Sequence, residues 1–126
     1  MLIGVPKEIK NNEGRVALPP TGVMEMRKNG HEVLVQASAG IGSGFEDADY
    51  VSAGAEIVAD VADIWAKAEM VIKVKEPQPE ETAMLRKDQL LFTYYHFASN
   101  LQMLQEVRDS GAVAIAYETV QKPDGS

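Results

Sequence analysis

Residues 1–16 read MLIGVPKEIKNNEGRV, a short apolar run followed at once by a charged loop. The run at residues 2–5 is apolar throughout rather than alternating, which is typical of a strand covered on both faces of a sheet. Similar runs return along the chain, and they predict six strands, at residues 2–5, 32–36, 55–58, 69–74, 90–94 and 112–116. Helical patterns separate them, so we predict an α/β fold: a mostly parallel open sheet with helices on both faces.

Five helices are predicted between these strands, each with a recognisable end. The first two, at residues 21–29 and 46–53, stop before a glycine, the favoured residue just after a helix. The other three begin at residues that suit a helix N-terminus, namely Asp60, Pro79 and Ser99. Ser99 and Gln102 would form a capping box for the last helix. We expect the apolar face of that helix to consist of Leu101, Leu104 and Val107.

The composition narrows the class of protein. The chain has 126 residues, 45% of them hydrophobic and 25% charged, which suits one soluble globular domain or a large part of a bigger fold. A formal charge of −7 without a basic cluster argues against nucleic-acid binding. There is no cysteine, which excludes disulfides and thiol catalysis, and the sequence shows neither a signal peptide nor a membrane-spanning run. We therefore expect a cytoplasmic protein without nucleic-acid or membrane partners.

A glycine-rich segment, AGIGSGF at residues 39–45, looks at first like a dinucleotide-binding loop. The fingerprint of such loops needs a third glycine three residues after the second, at the start of a helix. Phe45 stands at that position, and the carboxylates that follow would repel a phosphate: Glu46, Asp47 and Asp49. We therefore interpret the segment as a turn and expect no cofactor-binding residues in this chain.

Polar residues collect where the predicted strands end, at the edge where open α/β sheets bind ligands. The candidate site residues are, in chain order, Glu8, Arg15, Lys75, Tyr95, His96 and Glu118. Simpler interpretations exist, with Arg15 as a surface cation, His96 as a structural histidine and Glu118 as a local cap or ion-pair partner. On spacing alone, Lys73 is as good a candidate as Lys75.

The sequence resembles alanine dehydrogenases over nearly its whole length, with motifs in the same order and spacing. These motifs are GVPKEIKNNEGRVAL, GSGF, SAGAEI, KVKEP, LFTYYHFA and AYETV. The wider family also includes the α subunit of proton-pumping transhydrogenase and, more distantly, saccharopine dehydrogenases. Lys75 and His96 favour alanine dehydrogenase, because transhydrogenase is not expected to keep either residue.

The resemblance implies that the chain is the N-terminal, substrate-binding segment of a Rossmann-like domain in an NAD-dependent enzyme of amino-acid catabolism. The implied reaction converts L-alanine, NAD and water to pyruvate, ammonia and NADH. Arg15 and Lys75 would bind the substrate, and His96 would be the catalytic acid–base. Further candidates for the site are Tyr95, Glu8 and Glu118. No metal site is expected, and Glu118 is the one residue for which the resemblance suggests a metal role.

The resemblance also implies a much longer chain, whose NAD-binding domain and C-terminal return segment lie beyond residue 126. NAD would be bound mainly there, and residues 1–126 alone would be inactive. The assembled form would be a homo-oligomer, a hexamer by this resemblance. The alternatives are a relative similar to the transhydrogenase α subunit or to saccharopine dehydrogenase, and a non-catalytic module that binds small acids.

Overall fold

Six parallel strands form one sheet in a computed structural model that describes residues 1–94 and 101–116. The strands are β1 (Leu2–Val5), β2 (Glu32–Gln36), β3 (Glu56–Val58), β4 (Met70–Ile72), β5 (Leu90–Thr93) and β6 (Val113–Ala116). Every pairing between these neighbours is parallel, so the predicted sheet is confirmed. The predicted bounds of β1 and β2 agree with the structure. The fourth strand is shorter at both ends than predicted, because the chain bends at Glu69 before the strand and again at Val74 and Lys75 after it.

Helices connect the strands within the described ranges. They are α1 (Pro20–Lys28), α2 (Asp47–Ala53), α3 (Val61–Lys67), α4 (Pro79–Thr82) and α5 (Leu101–Ser110). The predicted start of α3 is confirmed, since Asp60 Oδ1 accepts a hydrogen bond from the Ala62 N–H at 2.9 Å. The predicted start of α4 at Pro79 is also confirmed, although that helix is a single turn. The predicted cap at Ser99 lies outside the described residues. No helix in those ranges is long and apolar enough to cross a membrane.

Both faces of the sheet are covered by helices, as predicted. Val33 and Val35 of β2 pack into one core with residues of α1 and α2, whereas Leu34 packs into a second core with α3 and α5. Successive strand residues point to opposite faces, so the two cores lie on opposite sides of the sheet. Gly4 lets α3 approach β1 closely, because a Cβ at Gly4 would lie 2.6 Å from Ile64 Cγ2.

The predicted apolar face of α5 is wrong at its first residue. Leu101 is 74% exposed, while Met103 and Val107 are buried. Steps of three residues rotate around a helix with 3.6 residues per turn, so Leu101 falls away from the side that Val107 occupies. Met103 lies four residues before Val107 and therefore shares its face. Leu104 is half-buried at the border of that face.

The order of the strands determines where a ligand can bind. The strand order across the sheet is β3-β2-β1-β4-β5-β6. The first three strands are added outward from β1 toward one edge. The chain then crosses back to place β4 on the other side of β1, and β5 and β6 follow toward the opposite edge. Such a reversal opens a crevice at the carboxyl ends of the two central strands. Gly4 of β1 is level with Val71 of β4, so the loops after both strands begin side by side.

Candidate functional site

Two loops meet beside the carboxyl end of β1, namely the loop after β1 and the loop after β2. Gly42 approaches Gly14 so closely that a Cβ on Gly42 would lie 2.2 Å from the carbonyl oxygen of Gly14. The Val16 N–H donates a hydrogen bond to Ser43 Oγ at 3.1 Å. A cavity of about 210 Å³ lies beside the contact of Gly42 with Gly14, and Arg15 is part of its lining.

Arg15 is held by the carboxylate of Glu13, which lies two residues earlier in the same loop. Arg15 Nε donates to Glu13 Oε2 and Arg15 Nη2 donates to Glu13 Oε1, both at 2.9 Å. The backbone N–H of Arg15 also donates to Oε2, at 2.9 Å. Lys75 Nζ, from the loop after β4, lies 4.0 Å from Glu13 Oε1. The structure therefore brings two predicted site residues, from different strand ends, to one carboxylate.

Acidification is expected to weaken the folded state through this carboxylate. The hydrogen bonds from Arg15 lower the pKa of Glu13 from 4.5 to about 2, against the opposing effect of burial. A carboxyl group whose pKa is lower in the folded state stabilises that state above its unfolded pKa, and this stabilisation is lost as pH falls toward the folded pKa. In the Glu13→Gln variant, the free energy of unfolding should therefore decline less as the pH falls from 4.5 toward 2, as measured by urea unfolding.

A matched control for this pH dependence is Glu25→Gln, which removes an exposed carboxylate from α1. The difference between wild type and Glu13→Gln should shrink at high salt, because the side chain of Arg15 is 67% exposed and its charge is screened. If the free energy of unfolding falls equally with decreasing pH in Glu13→Gln and in Glu25→Gln, this prediction is contradicted.

A buried ion cluster lies next to the site. Lys73 Nζ is 2.9 Å from Glu8 Oε1 and 3.0 Å from Glu81 Oε2. Each of the three side chains is at most 3% exposed. Burial raises the pKa of Glu81, and the opposing effect of Lys73 does not cancel it. Two carboxylates share one ammonium group here, so protonation of Glu81 relieves an excess of negative charge.

Glu8 also positions the loop that carries Lys75. Its Oε2 accepts a hydrogen bond from the Val74 N–H at 3.0 Å, and its Oε1 accepts one from the Lys75 N–H at 3.1 Å. At the end of β5, Thr93 Oγ1 donates to the Lys75 carbonyl oxygen at 2.7 Å. The backbone of Lys75 is thus held by residues from two other strand ends, while its side chain is 29% exposed.

Three of the six predicted site residues fall in the described ranges, and the structure brings them together. Arg15 and Lys75 both face the Glu13 carboxylate. Glu8 is adjacent but buried, and both of its carboxylate oxygens accept hydrogen bonds from the chain itself. The other three predicted residues lie outside the described residues: Tyr95, His96 and Glu118.

Sequence reasoning left two relationships unassigned. The sequence did contain an indication of the ion pair between Glu13 and Arg15, because an acidic residue two positions before an arginine in a short loop can reach it. The sequence contained no indication of the contact between Lys73 and Glu81, because that contact joins the end of β4 to a later helix. The structure distinguishes the two lysines that spacing could not: Lys73 is 1% exposed within the ion cluster, whereas Lys75 reaches the site.

The glycine-rich segment forms a turn, and its surroundings do not fit a dinucleotide phosphate. Residues Ile41–Ser43 make one turn of 3-10 helix before α2. Side chains of the chain itself occupy backbone N–H groups around the start of α2: Asp49 Oδ2 accepts from the Glu46 N–H, and Asp47 Oδ1 accepts from the Ser38 N–H, both at 2.8 Å. A pyrophosphate at this place would meet three carboxylates. Among the described residues, no group of three or more acidic or histidine side chains is arranged to hold a metal ion.

The sequence of this chain is similar to those of known proteins. Residues 4–126 match the family described as alanine dehydrogenase/PNT, N-terminal domain. The sequence is 59% identical to the alanine dehydrogenase of Bacillus subtilis (strain 168) over 122 residues, which cover 97% of this chain and 32% of that protein. It is 50% identical over 126 residues to the alanine dehydrogenase of Mycobacterium tuberculosis (strain CDC 1551 / Oshkosh), covering 34% of it. The chain thus spans about a third of the length of these relatives.

Solved structures agree with the sequence comparison. An L-alanine dehydrogenase superposes with a TM-score of 0.94 at 52% identity, over 100% of this chain and 35% of that one. A transhydrogenase from Sinorhizobium meliloti superposes with a TM-score of 0.88 at 29% identity, over 94% of this chain and 35% of that one. The chain therefore shares its fold with both proteins over the matched part.

Proposed function

This chain belongs to the alanine dehydrogenase/PNT family, whose N-terminal domain its residues 4–126 match, and from that premise we propose that it is the substrate-binding part of an NAD-dependent L-alanine dehydrogenase. The proposed reaction converts L-alanine, NAD and water to pyruvate, ammonium, NADH and a proton, and it runs in both directions. Greater similarity to the alanine dehydrogenases than to the transhydrogenase supports this choice within the family.

The observation that carries the proposal is the meeting of Arg15 and Lys75 at the crevice between β1 and β4. Both cations approach the same carboxylate, that of Glu13, so they lie close enough to act on one small ligand. They come from the loops after two adjacent strands, at the reversal of strand order where open α/β sheets bind ligands. Alanine and pyruvate are small acids, and their carboxylate is the group that such a site can recognise.

The two cations suit different parts of the substrate. The planar guanidinium of Arg15 matches a carboxylate through two parallel hydrogen bonds. The ammonium group of Lys75 is a compact charge that can polarise the oxo group of pyruvate. Two hydrogen bonds of the Lys75 backbone support this role, because they hold the loop in place before the substrate arrives: the Glu8 carboxylate accepts from the Lys75 N–H, and the Thr93 hydroxyl donates to the Lys75 carbonyl oxygen.

The remaining roles in the proposal rest on the sequence resemblance. His96 is proposed as the acid–base that moves protons when water adds and ammonia leaves, work that suits the ordinary pKa range of histidine. Tyr95 and Glu118 are proposed as further residues of the site. We propose that NAD binds mainly outside residues 1–126, and the acidic start of α2 supports this only in that the glycine-rich segment before it does not fit a pyrophosphate. A cytoplasmic homo-oligomer, by family resemblance a hexamer, is the proposed form of the whole protein.

Arg15→Ala in the full-length protein is expected to raise the Kd for pyruvate and for L-alanine by about tenfold or more, because a charge-assisted pair of hydrogen bonds is lost. The Kd for NAD should barely change, since the dinucleotide is proposed to bind elsewhere. Calorimetric titration of each ligand measures both effects. Lys28→Ala, which removes an exposed cation from the last turn of α1, is the matched control and should leave all three affinities unchanged.

Equal losses of affinity for pyruvate and NAD in Arg15→Ala would indicate a structural role for Arg15 and contradict its assignment. The overall function is tested on the wild-type protein by following NADH absorbance with pyruvate and ammonia. Absence of turnover under conditions where the protein is folded would contradict the proposed reaction.

A further inference from the structure

Glu13 has a place in the site that the proposed reaction does not explain. Its carboxylate contacts both proposed substrate-binding cations, and its side chain is only 6% exposed. Three N–H groups of Arg15 donate to it, those at Nε, Nη2 and the backbone. A negative group held this firmly beside a site for negative ligands must influence which ligands bind.

The geometry of the ion pair determines which edge of Arg15 remains for a ligand. A guanidinium carries five N–H donors, spread over Nε, Nη1 and Nη2. Glu13 occupies the edge formed by Nε and Nη2. Within residues 1–94 and 101–116, Nη1 of Arg15 donates no hydrogen bond, and the side chain is 67% exposed. The edge formed by Nη1 and Nη2 is therefore available to donate two parallel hydrogen bonds to one carboxylate.

The charge of Glu13 acts on the same ligand. Because hydrogen bonds from Arg15 lower the pKa of Glu13 to about 2, its carboxylate is ionised at neutral pH. It therefore removes one unit from the positive charge that Arg15 and Lys75 present together. The buried cluster of Lys73 with two carboxylates adds no net positive charge to replace it.

We propose, on the basis of the function proposed above, that Glu13 is a specificity-determining residue, which directs the free edge of Arg15 to a single carboxylate and repels acids that carry a second one. A second carboxylate on a three-carbon or four-carbon ligand would lie within a few ångströms of Glu13. Like charges at such distances repel strongly at the partly desolvated edge of a protein. Specificity of this kind arises from a repulsive element rather than from an additional attraction.

The test compares two acids of the same carbon count, propionate with one carboxylate and malonate with two. Calorimetric titration of the full-length wild-type protein should give a lower Kd for propionate. In Glu13→Gln, the ratio of the malonate Kd to the propionate Kd should fall by about fivefold to tenfold, since a nearby like charge is removed. Glu25→Gln, which removes an equal charge from an exposed position on α1, should leave the ratio unchanged. An unchanged ratio in Glu13→Gln would overturn the proposal.

A second variant separates the charge of Glu13 from its geometry. Glu13→Asp keeps the charge but shortens the reach to Arg15, so it should weaken both acids while preserving the preference for propionate. Loss of that preference in Glu13→Asp would overturn the proposal. Equal weakening of both acids in Glu13→Gln, together with a lower Tm, would also overturn it, because a purely structural role predicts that result.

These titrations remain informative whatever the outcome for the proposed reaction. If the wild-type protein does not turn over pyruvate, ammonia and NADH but Glu13→Gln loses its preference for propionate, the assignment of Glu13 holds and alanine dehydrogenase activity does not. If turnover is observed and the preference survives Glu13→Gln, the reaction holds and the role of Glu13 is rejected.

Discussion

His96→Ala in the full-length protein is expected to lower kcat for alanine oxidation by roughly 10²-fold to 10⁴-fold, the usual size of an acid–base contribution. His96 follows β5 in the sequence, and it lies outside the described residues. The described chain reaches the candidate site at Thr93, whose hydroxyl donates to the Lys75 carbonyl oxygen. Water addition and ammonia release both require proton movement, and no other histidine follows a predicted strand.

Steady-state kinetics and thermal unfolding of one His96→Ala preparation separate a catalytic role from a structural one. A catalytic His96 predicts a large loss in kcat with the Tm and the Kd for NAD nearly retained. The matched control is His31→Ala: His31 lies in the turn before β2, where its Nδ1 is 2.9 Å from the N-terminal amine. A loss in kcat below about threefold, or a lower Tm with kcat intact, would contradict the assignment of His96.

Lys73→Ala is expected to destabilise the protein by about 3–5 kcal/mol, the typical cost of removing one partner from a buried ion pair. The side chain is 1% exposed and contacts two carboxylates, those of Glu8 and Glu81. Without the ammonium group, both carboxylates would remain buried without a counter-ion. Urea unfolding at neutral pH measures the change, and Lys28→Ala on the surface of α1 should alter stability by less than about 0.5 kcal/mol.

Two further variants identify the cause of this loss. Lys73→Met fills most of the same volume but carries no charge, so it should destabilise the protein nearly as much as Lys73→Ala. Combining Lys73→Met with Glu8→Gln and Glu81→Gln removes all three charges and should recover much of the stability. Full stability in the single Lys73→Met variant would show that packing, rather than charge, explains the effect of Lys73→Ala.

The strands were the most predictable part of the fold. β1 and β2 occupy the predicted residues because their apolar runs are short and have clear ends: the run of β1 stops before Pro6, and that of β2 lies between Glu32 and Gln36. Parallel pairing followed from the alternation of strands with helical segments, since parallel neighbours need a crossover connection. Errors appeared where periodicity alone carried the interpretation: α5 buries Met103, whereas Leu101 is exposed.

The candidate site was predictable only in part. A parallel sheet brings strand ends to one edge, so Arg15 and Lys75 were expected there before their contacts were known. Spacing did not distinguish Lys73 from Lys75, because residues two apart follow the strand in equivalent positions. The burial of Glu8 could not be read from the sequence either, since its partners lie 65 to 67 positions away.

The sequence by itself determined the six-stranded α/β architecture, the family and the set of candidate site residues, because periodicity, helix ends and motifs are local properties of the chain. Only the tertiary structure decided which lysine is buried and which reaches the site, and that Glu13 engages one edge of Arg15. Those outcomes depend on desolvation and on the distance between charged groups. Both quantities arise when distant segments meet, so no local pattern records them.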